Sequence, residues 1–283
     1  PQTARGTVVD RQFGVDVADP YRWLEDDVRT SPAVAQWVAE QNRVTNAYLE
    51  TLPARGWFQR RMTELYTYER FGIPVARGAH YFYTRNDGTQ NQSVLYVRDG
   101  LNGSPRALID PNSWAADGAT ALAEWLPSKD GSRLLYTVQD GGTDWRILRV
   151  MDVATGRVLE DELRWIKFSE FAWAPDGTGF WYSRFPAPAE GQAFQSVNTN
   201  QSVYFHRLGT PQSADVLVYA TPDQPSLGHD AEVTDDGRWL VITTSEGTDD
   251  RHAIHVIDRR QRNGRPVTLF AGLDNKWDLV GNI

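Results

Sequence analysis

His252 and His255, in "RHAIHVID", are the only histidines in the chain close enough in sequence to act as a pair. A shared metal would need both imidazoles on one side. "AIHVID" has the composition of a strand, and strand residues three apart point to opposite faces. They read as two ordinary strand histidines, and His80, His206 and His229 stand singly. An activated serine would need the G-x-S-x-G elbow, yet no serine here has a glycine two positions before it. There is no P-loop, no H-E-x-x-H and no dinucleotide-binding glycine fingerprint. The lack of cysteine removes disulfides, thiolate metal sites and a cysteine nucleophile. With 37 acidic residues, chance neighbours are expected. "LEDD" at 24–27 and "LEDEL" at 159–163 read as solvated loop ends. A glycosidase pair would need carboxyl groups held apart across a sugar. The N-x-S triplets at Asn91, Asn102 and Asn200 match a glycosylation sequon that is common by chance. No residue is nominated as catalytic or metal-binding, and no cofactor is expected.

The elements that would position any site follow from composition and periodicity. The 283 residues, 40% hydrophobic and 23% charged, suit one large or two ordinary globular domains. A net charge of −8 argues against nucleic acid as a partner. No apolar stretch approaches the roughly 20 residues of a membrane helix. Eleven each of Trp, Tyr and Phe favour strands.

Residues 1–70 differ from the rest. "DPYRWLEDD", Asp19 to Asp27, reads as a strap that lays Tyr21, Trp23 and Leu24 on another surface. Ser31-Pro32 is a helix start, serine at the N-cap and proline at the first helical position. Val34, Trp37, Val38, Val44 and Tyr48 fall largely on one face, and Pro53 ends the helix. A second helical segment carries Trp57, Phe58, Met62, Leu65 and Tyr66. Such a hairpin must pack on a larger body. From about residue 71 the period is that of strands. Paired runs recur: "AHYFYTRND" with "SVLYVRD", "RLLYTVQD" with "WRILRVMD", "GFWYSRF" with "SVYFHRL", and "WLVITTS" with "AIHVID". Asp-Gly pairs at 130–131, 176–177 and 236–237 open three of these units, and Gly78 opens the first. The glycine spacings of 53, 46 and 60 residues are those of four-stranded propeller blades. A sandwich also has many short strands, but the repeated phrase favours the propeller. Four blades are expected, with "FAGLDNKWDLVGNI" entering a fifth.

From Asp19 to about Asp258 the chain resembles prolyl oligopeptidase (prolyl endopeptidase). The resemblance is carried by "DPYRWLED", "EQNRVTNAYLE", "RMTELYTYERFG", "YFYTRNDGTQNQSVLYVRD", "GTDWRILRVMDV", "KFSEFAWAPDGTGFWYS" and "DDGRWLVITTSEG". It implies a mainly β chain, part of a seven-bladed propeller. The N-terminal helical segment (1–70) would pack on an α/β-hydrolase domain absent from this chain, and 71–283 would be incomplete propeller. It implies a serine peptidase that cuts short peptides after proline, with the propeller as a size filter and the whole triad outside these residues. The resemblance makes Phe168, in "KFSEFAW", part of the pocket for the substrate residue two before the proline; a blade-core role is the alternative. Leu227 and Thr248 match positions near the same pocket. Asp144, in "GTDW", matches an aspartate facing a substrate-binding arginine of the hydrolase domain, or else caps its own turn. Where relatives often carry a substrate-reaching arginine, this chain has Ser245, with Arg251 as a candidate replacement. Expected partners are short proline-containing peptides and the hydrolase domain of the same protein, in a monomer. The expected location is cytoplasmic, or periplasmic if a signal peptide was removed. The rivals are a non-enzymatic propeller scaffold and an oligopeptidase B-like enzyme cutting after Arg or Lys.

Overall fold

The computed structural model describes residues 1–261 and 264–281. The chain divides into two compact units: Pro1–Tyr68 with Ala189–Ser196, and Glu69–Pro188 with Val197–Ile283.

The first unit opens with a hairpin of β1 (Val9–Gln12) and β2 (Val15–Ala18). Its two-residue turn puts Phe13 and Gly14 at φ 53° and 84°, as a hairpin matched to strand twist requires. The Asp19–Asp27 stretch makes a short 3-10 turn, Arg22–Glu25. There Asp10 and Asp19 grip the Arg22 guanidinium, and the Trp23 indole donates to the Ala4 carbonyl at 2.9 Å. Helix α1 (Pro32–Glu50) starts with Ser31 at the N-cap and proline behind it. The Ser31 side chain makes no capping hydrogen bond, so the preset φ of Pro32 marks the start. Helix α2 (Arg55–Tyr66) follows. Val34 is buried, whereas Val44, Tyr48, Trp57, Phe58, Met62, Leu65 and Tyr66 are exposed. In this unit the 189–196 segment meets the strap: Gln195 donates to the Glu25 carbonyl at 2.8 Å, and Arg29 lies over the Phe194 ring.

The second unit is built of four antiparallel sheets, each following the chain. The first contains β3 (Arg70–Phe71), β4 (Val75–Arg77), β5 (His80–Asn86), β6 (Val94–Asp99) and β7 (Arg106–Ile109). The second contains β8 (Ala121–Pro127), β9 (Arg133–Gln139), β10 (Arg146–Asp152) and β11 (Val158–Ile166). The third contains β12 (Phe171–Trp173), β13 (Gly179–Arg184), β14 (Ser202–Arg207) and β15 (Val216–Tyr219). The fourth contains β16 (Leu227–Val233), β17 (Trp239–Glu246), β18 (Ala253–Asp258) and β19 (Val267–Phe270). The strand pairs picked out in the sequence are the middle pair of each sheet.

Period-two alternation makes the cores. Leu134 and Tyr136 face Phe82, Leu95 and Val97 of the first sheet, while Leu135 between them faces the other way, toward Phe180 and Tyr182 of the third. Trp181 and Val203 meet Ala231, Leu240 and Ile242 between the third and fourth sheets. Three cores thus join four sheets in chain order, and among the described residues none joins the fourth back to the first. The outer face of the fourth sheet is covered in part by Trp277, which stacks on Phe270. After Phe270 no strand forms among the described residues. Of the stretch expected to enter a fifth blade, Asn282 and Ile283 lie outside the described residues.

The Asp-Gly phrase has one geometry three times. Ser128, Ala174 and Thr234 each donate their N–H to the residue five ahead, and each accepts from the glycine three ahead. The glycines take φ of 69–75°. Asp130, Asp176 and Asp236 each accept the N–H two residues on, which closes the turn.

"LEDEL" is not a loop end but lies within β11, and alternation buries Asp161 while leaving Glu160 and Glu162 exposed. Asp161 faces His206, whose ring nitrogens lie 3.0 Å from Asp161 and 2.7 Å from Asp215. Burial pushes this imidazole down, but the two carboxylates outweigh it and hold it up at about 9.

Candidate functional site

In each sheet the first strand runs away from one end, the turn between the second and third returns to it, and the last strand comes back to it. The Asp-Gly turns lie at the opposite end. All four residues nominated in the sequence therefore fall at one end of their sheets. Asp144 lies in the β9–β10 turn and Phe168 in the β11–β12 connection. Leu227 opens β16, and Thr248 lies in the β17–β18 turn.

Contacts link these segments in a row. Trp145, beside the exposed Asp144, stacks its ring face under the Lys167 ammonium at 4.0 Å. Lys167 is buried, which lowers its pKa, and Asp144 acts against that shift. Trp145 also meets Trp165 and Phe185 edge-on. Trp165 takes φ 64° where the β10–β11 register shifts, a bulge that redirects the strand end. The Asp140–Trp145 loop is closed by Gln139, Asp140 and Thr143.

Phe168 is 65% exposed and has φ 48°. That exposure rules out the blade-core alternative; in β12 Ala172 packs in the core toward the fourth sheet, and Phe171 and Trp173 pack on the other side against the core shared with the second sheet. The Gln201 amide donates to the Lys167 and Phe168 carbonyls at 3.0 and 2.9 Å, and its oxygen accepts the His229 N–H at 2.7 Å. Two residues before His229, Leu227 is buried and lines a cleft of about 550 Å³ with Tyr219, Thr244, Glu246 and His255. Leu227 pairs with Glu246 in register, two residues before the exposed Thr248. Phe168, Thr248 and Asp144 do not line that cleft. Ser245 pairs with Gly228, and Arg251 is held within its own turn by Asp249.

Below this rim the first strands of the sheets converge on a second cleft of about 590 Å³, lined among others by Arg77, Lys129, Glu170, Trp173 and Glu232. Burial raises the pKa values of Glu170, Asp230 and Glu232; the Asp230 charge adds to the shift of the two glutamates, and Glu124 adds to that of Asp230. The Glu170 N–H donates to Asp230. Sequence reasoning missed Gln201, Lys167 and this carboxylate group.

Among the described residues, histidine rings pair with carboxylates, Thr or Tyr hydroxyls and the Trp277 carbonyl, and none pairs with a serine hydroxyl. Also among them, no group of three or more His, Cys, Asp or Glu side chains could hold a metal. No helix there is long and apolar enough to cross a membrane. Along this end of the sheets the arrangement offers an exposed aromatic, a cleft and a row of backbone hydrogen bonds.

Residues 1–282 match the family described as the prolyl oligopeptidase N-terminal β-propeller domain. The chain belongs to that family. It is 36% identical over 280 residues to a prolyl endopeptidase of Elizabethkingia meningoseptica, covering 99% of this chain and 39% of that protein. It is similar, with TM-score 0.70 and 46% identity, to a structure from a study of two prolyl endopeptidases and the role of inter-domain dynamics in catalysis and specificity, covering all of this chain and 40% of that one. Prolyl oligopeptidase B from Galerina marginata, solved bound to a 35mer hydrolysis and macrocyclization substrate, aligns with TM-score 0.82 and 25% identity, covering 43% of that protein. The chain thus spans about two fifths of the length of the relatives it matches. The nominated residues lie at one end of the sheets of this propeller-family domain.

Proposed function

We propose that this chain is the recognition and filtering part of a serine peptidase that cuts short peptides on the carboxyl side of proline. The observation that carries the reading is Phe168, an exposed aromatic at the sheet-end rim of a prolyl oligopeptidase propeller. Its ring would take an apolar side chain two positions before the proline, worth roughly 1.5–3 kcal/mol if fully buried. Leu227 and Thr248 would bound the same pocket. Asp144 would hold a substrate-binding arginine supplied from outside this chain, pre-organised by its carboxylate. With Ser245 in place of an arginine and Arg251 already paired to Asp249, this side of the pocket would read the peptide backbone weakly.

The remaining parts of the reading follow from the same family. The propeller would be seven-bladed, with the outer face of the fourth sheet covered by a fifth. Trp57, Phe58, Met62, Leu65 and Tyr66, exposed on α2, would dock on an α/β-hydrolase domain. That domain would carry the whole Ser-His-Asp triad, and the enzyme would be a monomer. Acylation of its serine and hydrolysis of the acyl-enzyme need no cofactor, and opening between domains would gate access.

The test is cleavage by the full-length protein of a Gly-Pro chromogenic peptide against an Arg-Arg one. Strong preference for Gly-Pro is expected. Preference for Arg-Arg would point to the oligopeptidase B type, and turnover of neither would favour a binding scaffold.

A further inference from the structure

We propose that Gln201 is a positioning residue for peptide recognition, holding Phe168 in its left-handed conformation and setting its ring relative to the strand that carries Leu227. This rests on the functional reading of Phe168 given above. A non-glycine residue at φ 48° is held there at a backbone cost that something must offset. Packing of the ring does not offset that cost, because the ring is mostly in solvent. The support comes from the backbone. Gln201 is only 3% exposed and uses its whole amide on three backbone groups, two carbonyls of the Lys167–Phe168 turn and the His229 N–H.

The flanks are pinned as well. The Ser169 hydroxyl donates to the Glu170 carbonyl and accepts the Ser183 N–H. On the other side of Gln201, the Asn200 N–H donates to the Pro225 carbonyl, two residues before Leu227. One buried amide therefore joins the exposed aromatic of one sheet connection to the first strand of the fourth sheet. Such over-determined backbone around an exposed side chain suits a presented ring rather than a core residue. Gln is the residue type the geometry demands: a glutamate would set its oxygens against two carbonyl oxygens, and an asparagine is one methylene short.

The experiment uses the full-length protein with acetyl-blocked Phe-Gly-Pro and Gly-Gly-Pro chromogenic peptides. The readout is the ratio of their kcat/KM values in wild type, Gln201→Glu, Phe168→Ala and the double variant. Phe168→Ala is expected to lower the Phe-over-Gly ratio by about tenfold. Gln201→Glu should lower it by a similar factor, mainly through KM, and the double variant no further than Phe168→Ala alone. If Gln201→Glu does not fold, Gln201→Asn, which keeps the amide but shortens its reach, is read in the same way. An unchanged ratio in the Gln201 variants beside a lowered one in Phe168→Ala would overturn the proposal and leave the Phe168 reading standing. Equal losses on both peptides would mark a general structural role and overturn it too. An unchanged ratio in Phe168→Ala would remove both.

Discussion

At His206 and His229 two buried strand histidines are driven in opposite directions. His206 lies between the Asp161 and Asp215 carboxylates, which outweigh its burial and hold it up at about 9. His229 has only threonine hydroxyls at its ring nitrogens, Thr244 and Thr221 at 3.0 Å each, and burial pushes it down to about 4. The native state therefore keeps a proton on His206 that the unfolded chain releases above about 6.5. Its contribution is complete below that pH and is lost as pH rises through about 9, a change of roughly 3 kcal/mol. His229 behaves inversely: its contribution is complete above about 6.5 and is lost as pH falls through about 4. Urea unfolding between pH 6.5 and 10 should show falling stability for wild type. His206→Gln should be less stable at neutral pH, because it leaves two poorly compensated buried carboxylates, and should have a flatter alkaline limb. An unchanged alkaline slope in that variant would contradict the assignment. None of this was legible in the sequence, where His206 stands 45 residues from Asp161 and "LEDEL" looks like surface. Only the packing of the second sheet's edge strand β11 against the third sheet puts them together.

The Asp-Gly turns show at the level of elements how local chemistry and packing separate. Gly177 and Gly131 both need positive φ, but a Cβ on Gly177 would meet nothing within 4 Å, whereas on Gly131 it would lie 2.6 Å from the Arg77 carbonyl of the neighbouring sheet. Gly177→Ala should therefore cost about 1 kcal/mol, the backbone penalty alone. Gly131→Ala should cost clearly more, since backbone must shift. Thermal unfolding of the two variants checks the order, and equal losses would contradict it. These turns and the middle strands of every sheet were legible because each is a local pattern: alternation on either side of a residue that must be left-handed. The first and last strands were not. β12 has three residues and β4 three, too short to show a period, and β8 is half-buried along almost its whole length, which blurs alternation. β1 and β2 were missed because both strands are almost wholly exposed, so no apolar alternation marks them. The nominated site positions came from resemblance. Gln201 escaped because its partners lie 28 to 34 residues away on both sides in sequence, beyond any local pattern.

At the scale of the whole molecule, two features fit the proposed packing of these residues on further protein. Helix α2 leaves five large apolar side chains more than half exposed, a grouping of the kind that marks interaction surfaces. On the outer side of the fourth sheet Val241, Ile254 and Val256 are buried under Trp239 and Trp277, while Leu269 and Phe270 beside them stay exposed along a cleft of about 300 Å³. Both fit a chain that spans two fifths of its relatives, and both agree with recognition placed here and bond-breaking placed elsewhere. The most direct test of that division is to label the full-length protein with a fluorophosphonate, which captures an activated serine, and to map the label by peptide mass spectrometry. The account predicts one modified serine outside residues 1–283, with loss of proline-peptide cleavage in step with labelling. A modified serine within these residues that accounts for the lost activity would contradict it.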